Sequence, residues 1–543
     1  MDSMIYDPLR EFESKYKDLH ESTVVKFFDE LTQKSGVDIE ANRKTVKEYN
    51  EYRYRLAALK KKLNLKRFLR VLMCITLVLI PLVITKITPQ IRALRADIAD
   101  ADARIKELFD KATGEMLPLN RLFTDRDAIN LIEKVIPLMS FEKCFSTKQE
   151  EDMKTNYDFE MPDNPEESAI DVLAGHYNEN PFLFEAKIVH TMGEETYHGY
   201  KTITWTETYH DSKGHLRTRL CSDTLHASVT KPKPFYNTEI VLNYCAQGAP
   251  DLSFTRDATN LHKKSEKELA RHIKRGERKL RKLNEEALRE NDDFTSMSNT
   301  EFEVLFDALD RDNEVEFREL FTPLAQTNMV ALISSDAGFG DDFNFIKRKR
   351  TNKIYTNHSR GRTINLFPNE YYSYSYDTIR NNFIKKNVVF FKAVYFDFAP
   401  LLAIPAYQER PVHSLKPIPD YSKKYSYKEC ETLANLLDRK YVVHPLTKTP
   451  AILKASFTGN NGEADKTRIR RILTISTRKR IIFRCMAVTD MTIWFLSNGM
   501  IICLFPRVMS FLWRTINMPR GMMLSDGMGI FAYMRNRGQA ANP

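Results

Sequence analysis

Glycine, paired cysteine and long apolar runs are all scarce in this 543-residue chain, and each scarcity removes a class of function. Only 18 glycines are present, which leaves little material for the Gly-rich loops that wrap phosphates. The seven cysteines (Cys74, Cys144, Cys221, Cys245, Cys430, Cys485 and Cys503) include no Cys-x-x-Cys pair, so neither a zinc framework nor a disulfide-dense scaffold is expected. The opening Met1-Asp2-Ser3-Met4-Ile5-Tyr6 has neither the basic start nor the apolar run of a cleavable signal peptide.

What is present suits folded domains. Hydrophobic residues make up 42% and charged residues 28%, which excludes wholesale disorder. At about 100–200 residues per domain the length allows two to four. The formal charge of +10 is concentrated at one end: Arg470 to Pro543 holds eleven Lys and Arg against two Asp and no Glu. A basic surface along the body, and hence a nucleic-acid partner, is not expected.

The longest uncharged run is Val71 to Thr85, fifteen residues bounded by Arg70 and Lys86. Taken from Leu69 to Ile87, or 69–88 as a domain, it predicts one transmembrane helix, kinked by Pro81. Lys60, Lys61, Lys62, Lys66, Arg67 and Arg70 precede it, whereas Lys86, Arg92 and Arg95 follow, so the N-terminus is placed in the cytoplasm of a single-pass protein. Tyr49, Tyr52, Leu56, Leu59 and Leu63 form one heptad seam, and Ile91, Leu94, Ile98, Ala101, Ile105 and Leu108 another. These seams suit either a coiled coil, in a homo-oligomer or with partner helices, or packing on a neighbouring helix of the same chain. An amphipathic helix from Pro8 to Ser35, stopping near Gly36, completes a helical and basic juxtamembrane segment over 1–68, and 89–135 is helical or coiled coil.

Beyond the helices the period changes to two. Ile203, Trp205 and Tyr209 share a strand face, Asp211 to His215 forms a Gly-containing turn, and Leu216–Leu220, Leu225–Val229 and Ile240–Tyr244 read as further strands. Residues 180–250 are therefore an antiparallel β unit. Histidines 190, 198, 210, 215 and 226 lie in it at spacings that fit no metal motif. A charged helix follows at 260–292, with its basic residues interleaved by Glu266, Glu268, Glu277, Glu285 and Glu286 in the manner of a solvated face. Val388 to Ala406 is apolar but broken by Lys392, Asp397, Pro400 and Pro405, and is read as buried helix and strand. Ser426 and Glu429 form a capping box that opens a helix.

Within the α+β domain expected at 298–465, the features Glu301, Phe302, Phe306, Asp312, Arg318, Leu320 and Thr322-Pro323, followed by a helix and alternating strands, are similar to the bacterial membrane-anchored family of the domain of unknown function 3137 type. The resemblance covers about 298–358 and implies α+β proteins of unassigned activity. It transfers no catalytic residues. Asp310, Asp312 and Glu314 begin like a calcium loop, but Val315 and Phe321 stand where Gly and Glu are required. Gly338-Phe339-Gly340 lacks the third glycine of a dinucleotide fingerprint. A Cys430–His444 catalytic pair has no third partner.

Residues 466–543 form an atypical tail: nine of the 19 methionines fall after Arg470, and Glu is absent. A Met codon read from its last base begins a codon for Gly, Ala, Val, Asp or Glu, so translation out of frame from an acidic β-rich domain would give such a composition. The fold class expected is α+β: an N-terminal helical or coiled-coil region with one transmembrane helix, then an antiparallel β unit and a mixed α+β domain. The function expected is a membrane-anchored interaction or scaffold protein whose partners are the lipid bilayer and other helices. No catalytic, cofactor or metal residues are assigned. A membrane-bound hydrolase, or a binder of anionic lipid or nucleic acid through basic segments, is the alternative.

Overall fold

The computed structural model describes residues 4–75, 83–162, 164–210, 212–290, 294–411, 426–436, 452–458, 466–472, 491–496 and 499–501. Helix α1 runs without a break through Pro8–Glu11, a π-helical turn Phe12–Tyr16, and Lys17–Ser35. The Asp7 carboxylate accepts the Arg10 N–H at 3.0 Å, and Pro8 supplies a preset first position. Gly36, at φ +64°, turns the chain out of the helix.

Helix α2 (Ile39–Ile75) and helix α3 (Thr88–Asn120), the latter entered through a π turn at Val83–Ile87, form an antiparallel hairpin. Thr45 donates to Glu115 at 2.9 Å, the Tyr49 and Phe109 rings lie 6.1 Å apart, and Lys60 pairs with Asp102 at 3.7 Å. The two seams thus meet within one chain: Ile91, Ala101 and Leu108 are buried, and Leu63 packs with Val83, Ile87 and Ile91. This corrects the expected transmembrane helix at 69–88. Among the described residues no helix is long and apolar enough to cross a membrane. The apolar run is shared between the last turns of a highly charged helix and the π turn that starts the returning arm. Its centre, 76–82, lies outside the described residues.

Helices α4 (Asp127–Val135) and α5 (Thr147–Tyr157) lead into a seven-stranded antiparallel sheet of order β1-β2-β3-β4-β7-β6-β5. Its strands are β1 (Met139–Phe141), β2 (Glu167–Tyr177), β3 (Asn180–His210), β4 (Leu216–Cys245), β5 (Ser253–Arg256), β6 (Phe343–Arg348) and β7 (Thr351–Thr356). The strands of 180–250 and those following 298 therefore share one sheet. Helix α6 (Glu266–Glu290) and helices α7 (Thr300–Phe306), α8 (Glu314–Leu320) and α9 (Pro323–Ser334) fill the connection between β5 and β6. Phe306, Phe317 and Phe321 pack around Phe254 of β5, and Phe302 lies behind them, its ring 5.2 Å from Phe306 and 5.1 Å from Phe321. These aromatic contacts hold the short helices α7 and α8 against β5.

Helix α10 (Tyr376–Leu402) spans Val388 to Leu402, where a helix and then a strand were expected; Pro400 sits in its last turn, where one missing N–H bond is tolerated. Phe398 meets Phe182 of the sheet edge-on at 5.0 Å, and Phe12 of α1 lies 4.9 Å from Phe396. The core thus has three layers: sheet, α10 and α1. Helix α11 (Tyr427–Asn435) has the expected cap, Ser426 accepting from Glu429 N at 3.2 Å. Four strands, β8 (Ile452–Thr458), β9 (Lys466–Ile472), β10 (Met491–Leu496) and β11 (Gly499–Ile501), make a second antiparallel sheet. The rest of the atypical tail, 473–490, 497–498 and 502–543, lies outside the described residues.

The separate strands expected within 203–244 are one hairpin. Pairing runs unbroken from Phe182↔Tyr244 to His210↔Leu216. Neither β2 nor β7 accompanies it beyond Val189 and Leu242, so among the described residues the outer part is a two-stranded arm. At about 3.3 Å per residue, Met192 to His210 reaches roughly 60 Å. Pro232 and Pro234 do not end β4, because alternate positions on an unaccompanied strand have no ladder bond to lose.

Candidate functional site

Two features project from the core: the helical hairpin and the β arm. The hairpin is clamped at its base, where the buried Asn42 side chain donates to the Tyr374 carbonyl at 3.0 Å and accepts the Tyr376 N–H at 3.0 Å. Past Tyr49, Leu63 is the buried apolar residue of α2, packed on Val83, Ile87 and Ile91 of the opposite arm. Twenty-six more residues of α2, at about 1.5 Å each, carry it some 39 Å further.

The sequence joining the two arms, 52–96, is one-sided in charge, although Asp102 of α3 reaches back to Lys60 at 3.7 Å. From Tyr52 to Ala96 there is no Asp or Glu, while Arg53, Arg55, Lys60, Lys61, Lys62, Lys66, Arg67, Arg70, Lys86, Arg92 and Arg95 give eleven cations. Leu65, Phe68, Leu69 and Leu72 fall at helical spacings of three and four, so they share one face of α2. That face points away from the partner helix: Phe68 is 65% exposed, Leu65 61%, and the neighbouring Val71 63%. Leu63, Val83, Ile87 and Ile91 form the separate small core that holds the arms together here. An apolar stripe with lysine and arginine beside it can enter the acyl region of a lipid leaflet while its cations meet headgroup phosphates. The run Val71 to Thr85 was legible in the sequence; the carboxylate-free segment around it was not used, and counting acids would have found it.

The β arm has two unlike faces. Tyr197, Ile203, Trp205, Tyr209, Leu225 and Val229 share one, and threonine pairs such as Thr196–Thr230 and Thr202–Thr224 mark the other. Arg219 donates to Glu207 at 2.9 Å, and Lys233 pairs with Glu195 at 2.6 Å.

Of the histidines in the β unit, His198 and His226 approach to 3.1 Å across the arm, His190 bonds Glu166, and no group of three or more ligating side chains that could hold a metal occurs among the described residues. Asp310, Asp312 and Glu316 play a structural part, accepting the backbone N–H groups of Thr255, Ser253 and Asp251 at 2.8, 2.6 and 2.9 Å. Alternate donors along the edge strand β5 are thereby satisfied, which blunts that edge. Gly340, at φ +63°, packs where a Cβ would collide with His262. Cys430 is buried in α11, and His444 lies outside the described residues.

No protein family, curated protein or solved structure matches this chain.

One cluster was missed by sequence reading. His358 stands between two carboxylates, its Nδ1 2.6 Å from Asp342 and its Nε2 3.3 Å from Asp397, with its ring stacked 3.8 Å from Phe339. Burial pushes the imidazole down, but the bonds to Asp342 and Asp397 prevail and hold it up at about 9. Asp397 also accepts from Thr356 at 2.6 Å, Ser359 at 2.7 Å, and Arg362. Burial raises this carboxyl, and Arg362 and His358 outweigh burial to hold it below its usual range. Both His358 nitrogens are committed, so the imidazolium neutralises buried charge and has no free nitrogen to act as a base.

Proposed function

We propose that the protein is an interaction protein that docks on anionic lipid surfaces through the end of the α2–α3 hairpin. The observation that carries this is the exposed Leu65-Phe68-Leu69-Leu72 stripe inside a segment of eleven cations and no carboxylate. Each Lys or Arg near an anionic surface contributes about 1 kcal/mol, and each large apolar side chain withdrawn from water roughly 1.5–3 kcal/mol. Either term alone is marginal; together they hold a protein at a membrane without a spanning helix. The length of the hairpin then sets the body, with its β arm, at a distance from the lipid, which suits a scaffold.

Vesicle co-sedimentation tests this reading. The full chain is expected to bind phosphatidylcholine vesicles that contain phosphatidylglycerol and to bind pure phosphatidylcholine weakly. Joint Lys60→Gln, Lys61→Gln and Lys62→Gln changes remove about 3 kcal/mol and weaken binding by roughly 100-fold. Phe68→Ser with Leu72→Ser is expected to weaken it as well, and alkaline carbonate to release the bound protein. Equal binding to both lipids, unaffected by either set of changes, would overturn the reading.

A further inference from the structure

A cleft of about 930 Å³ opens between α1, α10 and the loops that carry Phe339 and His358, and its volume falls within the range of small-molecule sites. Its wall is largely apolar, from Phe12, Phe339, Leu366, Val388, Val389 and Phe390. Its polar lining is mainly cationic: Lys17, Lys385, Lys386 and Lys392 face only Glu13 and Glu370, and Lys386 already pairs with Glu370 at 3.2 Å. Lys392 donates to the Ala337 carbonyl at 3.1 Å and has no carboxylate partner among the described residues.

At the inner end stands Arg362. Its Nη2 is held by Asp397, and its guanidinium lies 5.7 Å from the Phe390 ring centroid. Its Nε and Nη1 are buried and have no hydrogen-bond partner among the described residues. Buried guanidinium donors are rarely left unsatisfied, and the acceptors that suit them best are carboxylate or phosphate oxygens. Asp342 and Asp397 already balance His358 and Arg362, so an added anion would be balanced by the lysines of the rim.

We infer that this cleft binds a single-chain amphipathic anion, with its carboxylate or phosphate on Arg362 and its aliphatic body along Phe390, Val388, Val389 and Leu366. The site is separate from the hairpin, and its occupant is a free amphiphile and not a lipid within a bilayer. Binding here needs an apolar chain and an anionic head together; either alone leaves half of the cleft unmatched.

Isothermal titration of the full chain with dodecyl phosphate below its micelle concentration tests this, with inorganic phosphate and neutral dodecyl maltoside as the contrasting probes. One saturable site for dodecyl phosphate is expected, with both contrasting probes weaker by about tenfold or more. Arg362→Lys removes the two unpartnered donors. Lys385→Glu and Val389→Trp, on the exposed rim, perturb the same cleft without touching the buried charges, and each is expected to lower affinity by about tenfold. Phe68→Ser in the hairpin is expected to leave this affinity unchanged, whatever it does to vesicle binding. Absence of saturable binding, equal affinity for the neutral amphiphile, or indifference to both rim changes would overturn the assignment, and transfer of labelled lipid from vesicles with no binding of free dodecyl phosphate would overturn its free-amphiphile part.

Discussion

Asn42 and Tyr376, 334 residues apart in sequence, are joined by a 3.0 Å hydrogen bond from the Tyr376 N–H to the Asn42 carboxamide oxygen, at the place where the hairpin meets α10. The Asn42 nitrogen donates in turn to the Tyr374 carbonyl and to Glu115 at 3.2 Å. A fully buried amide that serves both sides of a junction fixes the direction in which the hairpin leaves the body. Asn42→Ala would leave a buried N–H and carbonyl unpaired, at a cost of about 1–3 kcal/mol. Urea denaturation is expected to show that loss, while vesicle binding by the untouched hairpin end persists.

Asp397 is the only carboxylate on the buried half of α10, and Arg362 and His358 both lean on it. Asp397→Asn would strand two buried cations, with an expected destabilisation of about 3–5 kcal/mol in denaturant melts. His358 has a raised pKa in the folded chain, so its contribution is fully present below its ordinary 6.5 and is lost as pH rises through about 9. The wild-type advantage over Asp397→Asn should therefore shrink in alkaline buffer. An advantage constant from neutral to alkaline pH would contradict this account.

His20 gives the opposite sign. Its ring stacks 4.0 Å from Phe391, and burial pushes it down to about 3. Between about 3 and 6.5 the unfolded chain binds the proton that the folded chain refuses, so stability falls as pH drops through that window. His20→Phe is expected to remove up to about 1.4 kcal/mol of that loss per pH unit. Thermal melts at mildly acidic and neutral pH, compared between the two proteins, measure it.

The β arm can be removed without opening the core, whose hydrophobic members on β3 and β4 extend outward only to Ala186 and Ile240. Deleting 194–232 and joining Gly193 to Lys233, which already face each other, through an Asn-Gly turn keeps the register. The melting temperature of the body should change little. A body that fails to fold would show that the arm is part of the core and not an appendage.

The tail invites a test at the level of the gene. If 470–543 is read out of frame, another frame of the same DNA yields an uninterrupted segment rich in Gly, Ala, Val, Asp and Glu. Stop codons scattered through both alternative frames would dismiss that origin.

Local signals in the sequence were read correctly where one short stretch decides the outcome. Gly36 ends α1 because its own backbone can take φ +64°, and Ser426 starts α11 because its hydroxyl reaches Glu429 N three residues on. The period-two pattern at Ile203, Trp205 and Tyr209 fixed the face that those residues share. The apolar run after Arg70 misled, because uncharged residues look alike whether they belong to a spanning helix or to the last turn of one helix and the first of the next. The division of Leu225–Val229 from Ile240–Tyr244 misled too, since one strand runs through Pro232 and Pro234 between them: proline ends a strand only where a neighbour needs its N–H.

By itself, then, the sequence determined where α1 ends and α11 begins, which strand residues share a face, and that cations without acids surround an apolar stretch. These are matters of dihedral preference, periodicity and charge, all set within a few residues. Only the tertiary structure decided that two heptad seams close on each other, that strands on either side of 298 join one sheet, and that Asp342, His358, Arg362 and Asp397 converge beside a cleft. Those outcomes depend on which distant surfaces bury one another, and residue spacing along the chain does not encode that choice.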